Sequence, residues 1–578
     1  MQTQHHNTDL CVIGGGMAGL CAAVAAARHG AQVVLMHDRP VPGGNASSEI
    51  RMHICGARGP NMRETGILEE IELENLRRNP GPSYAVWDSV LYEKARYQEN
   101  LELLLNCTCL DAEMDGDRIK SVTGRQLTTE ITHTIEAKYF ADCSGDGVLA
   151  PMTGAAFRIG REARGEFNES IEPEKADSKT MGMSCLFQLR ETPEKTEFIP
   201  PDWAYKYMSD ADLPFKDHNL RTNFWWIELG GEDDSIHDTE KLRDELLKIA
   251  FGVWDHMKNH GGSSGDAEHS ADNWTLEWIG FLPGKRESRR YVGDHILTQN
   301  DVEAEGRFGD LIAYGGWPMD DHFPAGFYYR GGHPTIYHPA PSPYGIPYRC
   351  LYSKNIANLF FAGRSISVTH AALSSTRVMA TCAILGQAVG AAAALCVRDG
   401  LAPREAPIKE LQQALLDDDC YLPWHAREIP ALTKNAALVS SAMNIENLRN
   451  GIDRPAGEQD NGVYFHPNES ATYTFEQPEE ISLLRFVFDS DLNRKIKNMP
   501  CVFPLGEARW RTPGTLVRDF RVEYSEDGVH FSELIRVAGN CQRLVKLLVK
   551  ARAKALRFVP LRAWNEAESM HMFAWDVR

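Results

Sequence analysis

Hydrophobic positions follow two rhythms along this chain. Residues 10–13 (LCVI) and 32–36 (QVVLM) are short, nearly unbroken apolar runs, as expected of strands buried on both faces. Between them, residues 17–27 are small and apolar, an Ala-rich helix with no polar side. Strand, helix and strand therefore follow one another between residues 9 and 38. Amphipathic spacing predicts helices at 65–77 and 86–99, then a strand at 101–105. Antiparallel strands are expected at 117–124 and 129–137, and 139–147 (YFADCSGDG) reads as a strand ending in a glycine turn. From about 150 to 345 the connections are long, polar and rich in aromatics, with strands at 182–189 and 223–229. The buried-strand pattern returns at 356–362, followed by a long apolar helix at 378–397 and another helix at 405–416. After 430 the pattern is short β-like segments at 463–465, 471–475, 483–489, 520–524 and 555–560, separated by turn signals such as Glu526-Asp527-Gly528. Short strands without helices predict a β-sandwich or jelly roll.

The first strand–helix junction carries G-x-G-x-x-G at Gly14, Gly16 and Gly19. Gly14 makes the tight turn, Gly16 lets the backbone approach a pyrophosphate, and Gly19 lets the helix pack close to the sheet. Unpaired N–H groups and the helix dipole then face the phosphates. A strand precedes the motif and a second strand follows the helix, so its context is that of a dinucleotide site. The acid that usually ends the second strand is displaced: His37 holds that position and Asp38 comes one later. Either one reaches the ribose in this reading, with Arg39 close by. The loop 39–49 is rich in Gly and small residues, suited to close approach to a ligand.

Composition narrows the class. A chain of 578 residues is expected to form two or three domains. Its formal net charge of -19 argues against nucleic acid or an anionic membrane as partner. Thirteen cysteines are scattered singly with no C-x-x-C, which disfavours zinc ribbons, iron–sulfur clusters and dithiol sites. Buried free thiols fit a reducing cytoplasm. The segment 378–397 has the length of a membrane span, but its Thr381, Gln387, Gly386 and Gly390 favour a helix buried in protein. The first residues lack the basic start and apolar core of a signal peptide.

Three segments together resemble the FAD-dependent oxidoreductases of the glutathione-reductase-like flavin fold, most of all a subgroup of large bacterial flavoproteins. They are GGGMAG with DRPVPGGNASSE, YFADCSGDGVLA, and NLFFAGRSISVTHAALSSTRVMATCAILGQAVG. GKRESRRYVGDHILTQND (284–301) and YGIPYRCL (344–351) look like the same subgroup. The resemblance covers residues 8 to 400. Beyond 430, FRVEYSEDGVHFSELIRV and AWDVR resemble a galactose-binding-like sandwich. The implied fold class is α/β: a Rossmann-like FAD-binding domain in two parts (1–150 and 346–400) with an inserted α+β substrate domain (151–345). A helical linker (401–430) and a β-sandwich (431–578) complete it.

The resemblance implies roles. Gly14, Gly16 and Gly19 hold the pyrophosphate, and Asp38 or His37 lies at the ribose. Gly43, Gly44 and Asn45 run beside the flavin. Ser144, Gly145 and Asp146 match a second nucleotide-contacting turn, and Gly363 and Arg364 match a late motif where the family often has Gly-Asp. A helix starting near Ser375 aims its N-terminus at the flavin pyrimidine carbonyl.

Dehydrogenation of an alcohol carbon needs a base for the hydroxyl proton. His370, six residues after Arg364, is the first candidate. His333, held between Gly-Gly and Pro in an aromatic, His-rich stretch that also contains His322, is a second. Arg286, Arg289 and Arg290 form a basic knot that binds a polar or carboxylate substrate or pairs with Glu287 and Asp294. Arg289 is the member carried forward. Arg377 opposes the helix dipole unless it pairs with an anion. No metal is expected, because the histidines of the 320–338 stretch show no H-x-x-x-H or H-x-x-E-H spacing. No second glycine fingerprint marks an NAD(P)H site. The function expected is hydride transfer between FAD and a polar small molecule, a carbohydrate or glycoside. The rival is a carbohydrate-binding or assembly protein with a degenerate flavin fold. A homo-oligomer is compatible with either.

Overall fold

The structure is a computed structural model that describes residues 2–261, 270–495, 498–507, 509–565 and 569–578. The chain forms two compact units. The first contains Met1–Ala57, Pro82–Leu411 and Lys497–Arg509; the second contains Arg58–Gly81, Gln412–Ile496 and Trp510–Arg578. The linear division expected from the sequence changes at two segments. Residues 151–345, read as an insertion, lie inside the first unit. Residues 58–81 belong to the second, and 497–509 return to the first.

The helix at Ile67–Arg78 shows why hydropathy missed this exchange. It buries two carboxylates, Glu69 and Glu72, and both pair with Arg494 (2.5 and 3.3 Å). A buried ion cluster leaves no apolar trace in the sequence, yet it assigns the helix to its core.

In the first unit, six strands run in the order β3–β2–β1–β6–β5–β4. They are β1 (Gln2–Ile13), β2 (Val33–Met36), β3 (Leu101–Leu104), β4 (Cys107–Asp115), β5 (Arg118–Gln126) and β6 (Ile131–Asp142). The β1–β2, β2–β3 and β1–β6 pairs are parallel, and Leu359–Phe361 adds in parallel to the end of β6. β4, β5 and β6 form an antiparallel meander, so the sheet is mixed. β1 is longer than its apolar run. Its polar first half is largely exposed and pairs with residues 131–137 of β6. β6 unites the two segments expected at 129–137 and 139–147.

Helix α1 (Met17–Arg28) packs against the helix Met379–Asp399 at backbone distance. A Cβ on Gly386 or Gly390 would lie 2.0 and 2.1 Å from the carbonyl oxygens of Ala18 and Ala22. This explains the long apolar run. The helix Met379–Asp399 is apolar and long enough to cross a membrane, and 94% of its apolar window is buried in the protein. The preceding helix is a separate one, His370–Thr376, so the expected start near Ser375 moves to Met379.

The second unit is built on a seven-stranded antiparallel sheet. Its order is Val463–Phe465, Met570–Val577, Ala471–Phe488, Leu544–Ala563, Val517–Ser525, Ser532–Val537, with Ala437–Ser440 also on Ala471–Phe488. Phe486, Phe488, Phe520, Phe558 and Trp575 pack as one aromatic core. The segments expected at 471–475 and 483–489 are the two ends of one strand. Register shifts at Thr474/Glu479 and Ile481/Leu483 break the alternation between them.

Candidate active site

One large cavity, of about 490 Å³, lies in the first unit at the carboxyl ends of β1 and β2. Its floor is the glycine loop. Gly14 has φ +96°, and a Cβ there would lie 2.5 Å from the Ser144 backbone. Gly16 is different: a Cβ would meet only Gly44, at 3.9 Å, so its open side faces the cavity. Gly19 does not line the cavity; a Cβ there would lie 1.8 Å from the Gly14 carbonyl oxygen, so it serves packing alone. The N-terminus of α1 has no side-chain cap, and Gly16, Met17 and Ala18 line the wall. The loop at 39–49 is pinned to this floor by Gly43 N–H donating to the Gly15 carbonyl (2.7 Å). Gly43, Gly44 and Asn45 all line the cavity.

His37, Asp38 and Arg39 line the same end. His37 is a bracket for the loop. Its Nδ1 accepts from Gly15 N–H (3.0 Å), which leaves Nε2–H to donate to the Val41 carbonyl (3.0 Å). Burial lowers its pKa to about 4, so the ring is neutral at physiological pH. Both ring nitrogens are taken by backbone, whereas Asp38 keeps a largely exposed carboxylate.

The second turn is organised by two acids. Asp142 accepts from the Ser144 backbone (2.9 Å) and hydroxyl (2.6 Å), Leu149 N–H (2.8 Å) and the Tyr291 hydroxyl (2.6 Å). Asp146 is clamped by Lys285, Arg364 and Ser288, each at 2.8 Å. Burial opposes its ionisation, but Arg364 and Lys285 outweigh that and hold its carboxyl far below the usual range. Gly145 is required beside it, because a Cβ would lie 2.8 Å from the Arg364 guanidinium carbon. Arg364 Nε is buried with no hydrogen-bond partner among the described residues. One carboxylate against two cations leaves this end positive. Ser144, Gly145, Asp146, Gly363 and Arg364 all line the cavity.

The rest of the wall comes from residues with weaker sequence signals. Three short antiparallel strands, Glu228–Leu229, Met183–Ser184 and Gly284–Lys285, bring Glu228 beside Arg286. A hairpin of Met319–His322 and Thr335–His338 pairs Asp320 with Tyr337. Alternation along the first strand turns Asp320 and His322 to the cavity and Asp321 away. His322 Nδ1 lies 2.6 Å from Glu228 Oε2, and its Nε2 lies 3.5 Å from Asp320 Oδ2. Burial opposes ionisation of Glu228; Arg286 and His322 reverse this and lower its pKa. Arg286 donates to the Trp225 carbonyl (2.9 Å) and lies 3.5 Å from Glu228. Arg377 donates to the Asp320 carbonyl (3.1 Å), with its carboxylate at 3.4 Å. Two guanidinium groups, Arg286 and Arg377, face two carboxylates, Glu228 and Asp320, in this part of the wall. Trp225, Trp317 and Tyr337 supply aromatic wall.

The three residues expected to be catalytic lie outside this wall. His370 is buried between two acids, with Nδ1 2.9 Å from Glu287 and Nε2 3.2 Å from Asp321. Burial alone would lower its pKa; Glu287 and Asp321 outweigh it and raise it well above 6.5. His370 lies outside the cavity wall with both ring nitrogens facing carboxylates, so it is not placed to act as the base there. His333 sits in the turn before Thr335–His338, with Nδ1 3.1 Å from the Thr335 carbonyl. Arg289 donates to the Asp146 carbonyl (3.2 Å) and lies over the Phe157 ring, 5.7 Å from its centroid. In the basic knot, Arg286 faces the cavity, whereas Arg290 is buried against Glu287 and Glu162. Apart from Gly19, every residue expected at the cofactor lines the cavity, Arg377 included.

One cluster had no spacing signal. Asp210, His218 and His256 bring ligand atoms within 4.8 Å of one another, and none of them lines the cavity. It qualifies the expectation of no metal ligands.

The family described as FAD dependent oxidoreductase matches residues 9–415, more than half of the chain and the whole of the cavity. The chain belongs to this family. The oxidoreductase also matches solved structures at low identity. AlpK is 12% identical over 71% of this chain and 68% of its own, with a TM-score of 0.34. The family 32 carbohydrate-binding module of Streptococcus pneumoniae EndoD is 11% identical over 25% of this chain and 97% of its own, with a TM-score of 0.20. The corresponding module of C. perfringens NanJ, solved with galactose, is 5% identical over 25% and 95%, with a TM-score of 0.18.

Proposed function

We propose that this FAD-dependent oxidoreductase oxidises an alcohol carbon of an uncharged polyhydroxylated molecule, a sugar or glycoside. The observation that carries this is His322, an imidazole in the cavity wall backed by Glu228, in a wall where Arg286 and Arg377 are paired with carboxylates. The residues at the positive end suit FAD. The open side of Gly16, the uncapped N-terminus of α1 and the unpartnered Arg364 Nε offer room and donors for a pyrophosphate, and Asp38 is placed for a ribose hydroxyl. When bound, FAD supplies the two-electron acceptor for a hydride. His322 Nε2 takes the substrate hydroxyl proton, and the Glu228 carboxylate fixes the tautomer and stabilises the resulting imidazolium. Arg286 and Arg377 orient hydroxyl groups by donating to them, and the aromatic wall takes the apolar face of a sugar ring. Arg286 and Arg377 are already offset by Glu228 and Asp320, which disfavours a carboxylate substrate.

FAD-loaded protein, mixed anaerobically with a panel of sugars, glycosides and 2-hydroxy acids, is expected to lose its flavin colour with a neutral sugar or glycoside. Bleaching by hydroxy acids alone would sink the substrate class. The FAD assignment has its own test. Gly16→Val is expected to fold normally and weaken FAD binding at least about a hundredfold, or about 2.7 kcal/mol, because the new side chain enters open cavity. Gly19→Ala is expected to prevent folding of the first unit, because its methyl overlaps the Gly14 carbonyl. Circular dichroism and FAD titration separate the two; unchanged FAD affinity in Gly16→Val would remove the glycine loop from the site.

A further inference from the structure

The cavity wall carries a thiol that the oxidoreductase chemistry above does not use. Cys55 and His53 both line it. Cys55 Sγ lies 3.3 Å from His53 Nε2, and Cys501 Sγ lies 3.3 Å from Nδ1 of the same ring. Cys501 is delivered by residues 497–509, which Ile54 N–H to Asn498 (3.0 Å) and Gln188 to the Pro500 carbonyl (3.0 Å) tie to this face. A neutral imidazole has one N–H and one lone pair, so it donates towards one sulfur and accepts from the other. Position decides which thiol loses its proton. The Cys55 carbonyl accepts from Ala380 N–H (2.9 Å), in the first turn of the 21-residue helix Met379–Asp399. That helix has no side-chain cap and no acid in its first turn, and Val378, Met379 and Cys382 line the same cavity. Cys55 therefore combines an imidazole partner with a place in the cavity wall, two settings that favour a reactive thiolate, and its backbone is anchored to the first turn of a long helix. Cys501 does not line the cavity.

We infer that Cys55 is a modification site, a nucleophilic thiolate at the cavity wall that takes low-molecular-weight disulfides and thereby closes the cavity under oxidising conditions. The Cys55 thiolate attacks one sulfur of the disulfide. The disulfide bond breaks, a new S–S bond forms to Cys55, and the displaced thiolate takes the proton held by the His53 imidazolium. Cys55 is oxidised to the mixed disulfide and one equivalent of small thiol is released. A reducing thiol reverses the step. This goes beyond the proposed substrate and does not depend on it.

The test uses the FAD-loaded protein and hydroxyethyl disulfide, with sites and rates read by peptide mass mapping. Cys109 and Cys541 are internal references of comparable exposure, whose thiols burial pushes up to about 12. Cys55 is expected to react at least about tenfold faster than either, within the spread that thiolate fraction controls. His53→Gln is expected to bring it down to the reference rate, while Cys501→Ser leaves the Cys55 adduct in place. A Cys55 that is unmodified, or no faster than Cys109 and Cys541 in wild type, overturns the inference. So does full reactivity in His53→Gln. The wild-type comparison holds even if a variant fails to fold.

Discussion

Replacing His322 with glutamine is expected to slow flavin reduction by about a hundred- to ten-thousandfold, the range for loss of a general base, with FAD occupancy unchanged. Glutamine keeps a donor for Glu228 but offers no basic nitrogen to the cavity. The Asp146–Lys285–Arg364 clamp keeps its own bonds, to which His322 contributes none. Anaerobic stopped-flow at the flavin absorbance gives the rate, and the absorbance before mixing gives the occupancy. A loss of FAD together with rate would place His322 in the cofactor site instead.

The second large effect is on stability. His370→Gln is expected to cost about 3–5 kcal/mol, the range for removing one partner of a buried ion pair. Glu287 and Asp321 are left facing each other across an uncharged side chain, and Arg290 satisfies only the first. The sign of the pH dependence follows from the raised pKa of His370. Its stabilisation is complete below the unfolded value of about 6.5 and is lost as pH rises through the higher folded value. The gap between wild type and variant is therefore expected to hold through neutral pH and to narrow in the alkaline range. Urea unfolding at several pH values checks this; a gap that widens with pH would show that the ring is neutral in the folded protein.

These two histidines show how far the sequence carries. The cofactor end was legible because its signals are local. Gly14, Gly16 and Gly19 sit within one turn, and the Asp146 turn and Arg364 each follow a buried strand, so motif and element arrive together. The substrate end is assembled from distant pieces. Glu228 is 94 residues from His322, and Glu287 is 83 from His370. Nearness to Arg364 in sequence favoured His370, but the acids that lock it come from elsewhere. The strand at 319–322 did carry a usable signal. Alternation puts Asp320 and His322 on one face and Asp321 on the other, but which face looks into a cavity depends on the hairpin partner. The exchange of 58–81 and 497–509 between the two units was hidden for a related reason. Helix Ile67–Arg78 is held by buried carboxylates, and the returning segment by hydrogen bonds from residues 54 and 188. In the second unit, register shifts at Thr474/Glu479 and Ile481/Leu483 made one strand read as two.

The most direct test compares three FAD-loaded proteins, wild type, His322→Gln and His370→Gln, mixed anaerobically with the same bleaching sugar under conditions where all are folded. The account predicts equal flavin absorbance before mixing, near wild-type reduction in His370→Gln, and a rate lower by about two orders of magnitude or more in His322→Gln. Wild-type reduction in His322→Gln would contradict it.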